Sequence, residues 1–153
     1  VRRSPVRRDP ALASFPEHIL FHQFAWYPDN AKEGDMKIDG TDFGSITIAG
    51  QTHDHDVVIR LSQEVVKRKK KLSKRIYGTS HTVSEDEARF VFEKGCKELI
   101  FGTGQYGSAA LSPEAAAYLE KKGCRVIAEP TPDAIQTFNA SHKPKIGLFH
   151  VTC

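Results

Sequence analysis

The 153-residue chain is poor in the features that mark many protein classes. Its three cysteines, Cys96, Cys124 and Cys153, are an odd number with no CxxC or other metal-ligand spacing, which argues against a disulfide framework or a zinc ribbon. No stretch reaches the roughly 18 uninterrupted apolar residues that a membrane-spanning helix needs, and the start lacks the apolar centre of a secretory signal. Charge of one sign is scarce: 22 Lys and Arg against 19 Asp and Glu leave a net +3, too mild to imply a polyanionic partner unless the surplus is concentrated. No internal repeat appears, and the only biased tract is a run of lysines. What remains is a chain with 39% hydrophobic and 27% charged residues, enough for one domain with a moderate core and a tail. Cys96 and Cys124 each follow a glycine and precede an apolar run, so they read as small buried hydrophobes at strand starts. A reducing compartment, the cytoplasm, is the expectation.

Residues 1–35 are expected to be a largely irregular extension. Four arginines fall in the first eight positions and three prolines in the first sixteen, which frustrates regular structure. The piece His18–Tyr27 holds the only tryptophan and is apolar enough to cover a surface, either of its own domain or of a partner. Met36, the only methionine, stands immediately before the patterned region and is expected to be the natural start, with 36–153 a single domain. Asp9, Glu17 and the prolines argue against a mitochondrial leader.

From Met36 onward the hydrophobic pattern changes period once. Phe43, Ile46 and Ile48 alternate with small or polar residues and end in Gly50, predicting a half-buried strand over 43–50. A hairpin partner is predicted at 53–61, with Val57, Val58 and Ile59 as its buried part, and Val65-Val66 opens a third short strand. Helices and strands then alternate. Ser84 with Glu87 predicts a capping box and a helix of about ten residues closed by Gly95. A strand follows at 97–101. Ser112-Pro113 opens a second helix that Gly123 stops, a strand follows at 125–129, and Thr131-Pro132 caps a third helix to about Ala140. The last strand is 145–151. An antiparallel meander followed by a β-α-β-α-β half predicts an α/β fold with a mixed sheet.

The motifs YGTSH at 77–81, LIFGTG at 99–104, AAAYLEKKGCRVIAEPT at 115–131 and AIQTFN at 134–139, with the ending GLFHVTC, occur in the order seen in a known family. The chain resembles the Mth938-like domain family of unknown function, whose relatives include an adipogenesis-associated protein and the third assembly factor of mitochondrial complex I. The resemblance covers roughly Asp39 to Cys153. It implies a three-layer α/β domain with a mixed central sheet, a small extra β layer and helices on one side. It implies no catalytic residue, cofactor or metal. Its animal members look like assembly or regulatory proteins.

Several constellations bear chemistry. Gly102-Thr103-Gly104-Gln105-Tyr106-Gly107 matches the dinucleotide fingerprint GxGxxG after a predicted strand, with Glu129 beyond it. That motif requires a helix to open within the glycines, whereas here the helix starts at Ser112-Pro113, so a turn holding a smaller anion or a purely structural loop fits better. Lys67-Arg68-Lys69-Lys70-Lys71, with Lys74 and Arg75, places seven cations in nine residues. A solvated edge strand and turn accounts for them; an anionic partner or nucleic acid is the alternative, though the aromatic rings that single strands stack on are missing nearby except for Tyr77. Tyr77, Thr79, Ser80 and His81 precede a helix N-terminus and form either an anion pocket or an ordinary loop. His150 and Cys153 are oddly spaced and fall on opposite faces of an extended segment, so His81 approaching either would make the better pair. His53 and His55 share one strand face and are a possible start of a metal site, with Asp54 and Asp56 on the other face, although a solvated strand accounts for all four.

The favoured reading is a binding or assembly-assisting module that grips a small anionic ligand between Tyr77, Thr79, Ser80 and His81 on one side and Gly102, Thr103 and Gly104 on the other. Protein partners or a small anion are the expected ligands. A small enzyme of the acyl- or phosphoryl-transfer type is the runner-up, with His81 as acid or base and the Gly102–Gly104 amides as donors to an oxyanion. Nucleic-acid binding through Lys67–Arg75 is the third.

Overall fold

β-branched residues dominate the first strands. In the computed structural model, which describes residues 36–153, β1 (Ile38–Asp42), β2 (Ser45–Ile48) and β3 (Gln51–His53) form an antiparallel three-stranded sheet that turns Ile38, Ile46 and Ile48 inward. The expectations for residues 1–35 lie outside the described residues.

β4 (Val57–Ile59) leaves that sheet. All three of its residues are buried, which suits a strand covered on both faces. It pairs antiparallel with β5 (Val65–Lys67) on one side and with β10 (Lys145–His150) on the other. β10 in turn runs parallel to β7 (Glu98–Thr103), and β7 runs parallel to β9 (Arg125–Glu129), giving the order β5-β4-β10-β7-β9. The short strands β6 (Thr82–Val83) and β8 (Ala110–Leu111) make a separate parallel pair. The fold is α/β with a mixed central sheet and an antiparallel N-terminal one. The expected single hairpin over 43–61 is split, because His53 ends one sheet and Val57 starts the other.

Four helices complete the described residues: α1 (Lys71–Tyr77), α2 (Glu85–Val91), α3 (Pro113–Lys121) and α4 (Thr131–Ala140). α1 was not foreseen, since its sequence KLSKRIY buries only Ser73 and has no apolar stripe to announce it. α2 is shorter than expected. Its C-cap Phe92 turns extended and sets its ring 6.1 Å from Tyr118, and Gly95 falls in the turn beyond. Ser112 caps α3 as predicted, accepting from the Ala115 amide.

Alternation along the central strands divides the core. Leu99 and Phe101 of β7 and Ile146 and Leu148 of β10 face α2 and α3, meeting Ala88, Val91, Ala115 and Leu119. Ile100 and Phe149 point to the opposite face, where Ile135 and Phe138 of α4 and the isoleucines of β1 and β2 cover them. Each large apolar side chain buried in this way contributes about 1.5–3 kcal/mol. Helices therefore flank both faces, not one. Chain direction supplies the reason: α3 carries the chain from β7 outward to β9, and α4 carries it back across β7 to β10. Right-handed crossovers running in opposite directions put their helices on opposite faces. Cys96 and Cys124 sit just before β7 and β9, buried, with their Sγ atoms 3.6 Å apart.

Candidate functional site

The C-terminal ends of β7 and β10 lie side by side, at the end of an open α/β sheet where ligands most often bind. Two sequence-distant segments meet there. After β7, the Gly104 amide donates to Thr131 Oγ1 at 2.9 Å, and Thr131 Oγ1 donates to the His150 carbonyl at 2.6 Å. Thr131 is thus the first residue of α4 and a clamp between strand ends, and the helix cap falls to Pro130 instead. The following loop grips the chain itself. Gln105 donates its amide to the Thr152 carbonyl at 2.7 Å, and the amides of Tyr106 and Ser108 both donate to the Cys153 carbonyl at 3.2 Å.

Beside this rim lies a buried ionic network. Arg68, one residue past β5, is only 3% exposed although it sits within a run of cations. Its guanidinium donates to both carboxylate oxygens of Glu87 at 2.5 and 3.0 Å, to Asp56 Oδ2 at 2.9 Å and to the Ser80 carbonyl at 2.7 Å. Burial opposes the charge on Arg68, but Glu87 and then Asp56 outweigh it. The competition for Glu87 also halves the predicted capping box. Ser84 Oγ accepts from the Glu87 amide as expected, whereas the Glu87 carboxylate turns to Arg68 and Ser73, and Ser73 Oγ accepts from the Ser84 amide in its place.

Asp56 joins this network to β10. Its Oδ1 accepts from the Val151 amide at 2.9 Å and its Oδ2 lies 2.8 Å from His150 Nδ1. Burial works against the carboxylate, yet the hydrogen bonds from His150 and Val151 and the positive charge of Arg68 hold its pKa well below the usual range. The unfolded carboxyl titrates at about 3.9. A depressed folded value means that this stabilisation is complete above that pH and fades as pH falls below it. The stability gap between wild type and Asp56→Asn in urea unfolding is therefore expected to be widest at neutral pH and to narrow below about pH 4. A gap independent of pH would show that the ionised carboxylate is not what the network uses.

The residues singled out from sequence divide into two groups. Ser80 gives its carbonyl to Arg68, the His81 ring lies 5.3 Å from that of His150, and Gly104 lies so close to His150 that a Cβ there would come within 2.9 Å of its ring. Thr103 is buried at the end of β7, and Thr79 Oγ1 accepts from the His81 amide. Thr79 makes a local bond within its own turn, whereas Ser80, His81, Thr103 and Gly104 lie around the segment 150–153 or the strand ends that hold it. Tyr77 and Gly102 do not. Tyr77 points out from α1 and donates to Glu114 Oε1 at 3.2 Å, and Gly102 lies inside β7 against Phe149 and Thr131. The strand expected to carry His53 and His55 on one face ends at His53, so Asp56 turns inward while His55 faces a cleft. No group of three or more potential metal ligands gathers among the described residues.

That cleft, about 800 Å³, opens over the network. Lys67, Lys70, Lys71 and Arg75 line it along one segment, with His55, Asp56 and Thr152 opposite in sequence. Lys70 Nζ lies 3.7 Å from Asp56 Oδ2, and Arg75 pairs with Asp86 at the surface. Lys67 and Lys71 have no acidic partner among the described residues. Next to Gly44 on the cleft wall, Phe43 is 61% exposed, and its ring lies 6.3 Å from that of Tyr106, which is 78% exposed. Among the described residues no helix is long and apolar enough to cross a membrane.

Comparison with known proteins agrees with this architecture. A conserved hypothetical protein of Pyrococcus horikoshii, PH1505, is 34% identical; the match covers 76% of this chain and 99% of that one, with a TM-score of 0.72. A solved protein described as MT938 is 27% identical, with 78% of this chain and all of that one covered and a TM-score of 0.67. No curated protein matches. Residues 38–144 match the family model described as protein of unknown function (DUF498/DUF598), which takes in both faces of the sheet and most of the network. With its motifs, its winding and its solved relatives in agreement, the chain belongs to that family, the Mth938-like proteins of unknown function.

Proposed function

We propose that the domain is a binding module whose cleft takes a small anionic ligand, held by Lys67, Lys70 and Lys71 beside the rim formed by Ser80, His81 and Gly104. One observation carries this reading. Of the cations in the run, Arg68 is withdrawn and neutralised by buried carboxylates, whereas Lys67 and Lys71 have no acidic partner among the described residues and give the cleft a local positive field. The hydrogen bonds favour the cleft over the glycine loop. Loop amides suited to an anion already donate to Thr131, Thr152 and Cys153, whereas Lys67 and Lys71 line the cleft without an acidic partner among the described residues. A role in assembling protein partners is compatible with the same surface, and a reducing compartment, the cytoplasm, suits the unpaired cysteines.

Titration calorimetry with pyrophosphate tests the proposal. Saturable binding is expected, weakened at least about tenfold by the pair Lys67→Ala and Lys71→Ala, since each lost contact to a charged group is worth about 1.5 kcal/mol or more. Binding that ignores those lysines would remove the cleft from consideration. Phe43 and Tyr106 supply stacking faces that the basic run itself lacks, so a single-stranded oligonucleotide belongs in the same experiment. Tight oligonucleotide binding with a steep salt dependence, lost in Tyr106→Ala, would favour a nucleic-acid surface over a small-anion site.

A further inference from the structure

The rim contains a nucleophile, a base and an orienting carboxylate in series. His150 Nδ1 lies 2.8 Å from Asp56 Oδ2, and His150 Nε2 lies 3.2 Å from Thr152 Oγ1. Asp56 is ionised and only accepts, so Nδ1 is the donor of that pair, and in the tautomer protonated there Nε2 is the acceptor for the Thr152 hydroxyl. Arg68 Nη1, 3.5 Å from Nδ1, then faces a donor and makes its hydrogen bond to Asp56 instead. The carboxylate and the imidazole are both about 1% exposed, which fixes their geometry, while the threonine is partly exposed and lines the cleft. A buried carboxylate orienting an imidazole whose far nitrogen meets a hydroxyl in an open cleft is the arrangement that activates an alcohol for acyl transfer.

We propose that Asp56, His150 and Thr152 form a relay that makes Thr152 an acyl acceptor, with anion-bearing esters as the substrate class. The preference for a negative charge rests on the cleft reading given above; the relay does not. In the first half-reaction Thr152 Oγ attacks the ester carbonyl carbon and its proton passes to His150 Nε2. The new C–O bond forms as the carbonyl electron pair moves onto oxygen. Collapse of that oxyanion breaks the bond to the leaving alcohol, which takes the proton from Nε2. In the second half, water attacks the acyl-threonine, gives its proton to Nε2, and the Thr152 oxygen recovers it as it departs. The balance is ester plus water to carboxylic acid plus alcohol. Asp56 touches no substrate in this scheme and acts as a positioning residue.

The full chain is to be incubated with 4-nitrophenyl acetate and with the mono-4-nitrophenyl ester of succinate. Expected are release of nitrophenolate, faster for the anionic ester, and an acyl group on the peptide carrying Thr152 by mass spectrometry. Thr152→Val preserves shape at a partly exposed position and is expected to lower the rate at least about 100-fold with an unchanged unfolding midpoint, whereas Thr152→Ser retains acylation. Asp56→Asn is expected to move the pH dependence of the rate, which a merely structural role would not do. A silent wild type, or a Thr152→Val variant as active and as readily acylated as wild type, overturns the relay even where pyrophosphate still binds. Thr152-dependent turnover of the acetate without pyrophosphate binding supports the relay and removes the anion preference.

Discussion

Replacement of Arg68 by methionine is expected to destabilise the domain by about 3–5 kcal/mol, a large share of the total for a chain of this size. The loss comes less from the contacts removed than from what they leave behind. Glu87 and Asp56 stay buried as carboxylates with no cation between them, and Ser80 loses the donor to its carbonyl. Arg68→Lys should recover only a fraction, because an ammonium cannot supply the planar fork that meets two carboxylates and a carbonyl at once. The triple variant Arg68→Met, Asp56→Asn, Glu87→Gln separates the two costs. If stranded charge dominates, it unfolds at a higher urea concentration than Arg68→Met alone; if lost packing dominates, it is no better. A single Arg68→Met variant within about 0.5 kcal/mol of wild type would contradict the network as described.

Gly104→Ala is the second large effect. At φ +108 the backbone favours glycine, and a Cβ would come within 2.3 Å of the Cys153 carbonyl carbon and 2.9 Å of the His150 ring. Strain and overpacking together are expected to cost about 3 kcal/mol. Gly123→Ala is the comparison. It has φ +73 and nothing within 4 Å of the added carbon, so only the conformational cost of about 1 kcal/mol applies. Thermal or urea unfolding of the two variants should therefore differ by about 2 kcal/mol. Equal losses would mean that the 150–153 segment does not press on Gly104. Because that contact lies against His150, Gly104→Ala should also disturb any property that depends on the imidazole.

Most of the scaffold was legible in the sequence because local signals there agree with tertiary demand. Ser112-Pro113 opens a helix and Gly123 follows its end, and the apolar runs at 97–101, 125–129 and 145–151 are strands, since capping chemistry and short apolar runs each act within a few residues. The family motifs fixed the architecture further. What sequence missed depends on contacts far apart in the chain. Arg68 belongs to a basic run that reads as solvated, and its burial is set by Glu87 nineteen residues on and by Asp56 twelve residues back. One faint signal existed: Arg68 is two residues beyond Val66, and period-two alternation carries it to the face on which Val66 packs against the core. By sequence Thr131 and Glu87 are capping residues, because short-range bonds are the default for their types, but stronger distant partners take their side chains. The contact of His150 with Thr152 spans two residues only, but odd and even spacing along an ideal strand says nothing of a chain that leaves its sheet after His150.

The strand order has a consequence for biosynthesis. β10 lies between β4 and β7, and the central sheet consists of two separate pairs until it arrives. It is also the last described strand to emerge from a ribosome. The nascent chain therefore carries the β4-β5 hairpin and the β7-β9 pair as unjoined fragments, each with an unfilled edge, until β10 slots between them. Chaperone dependence or aggregation during translation would be concentrated in that interval, and a chain stalled before Lys145 would present two half-sheets with no strand to unite them.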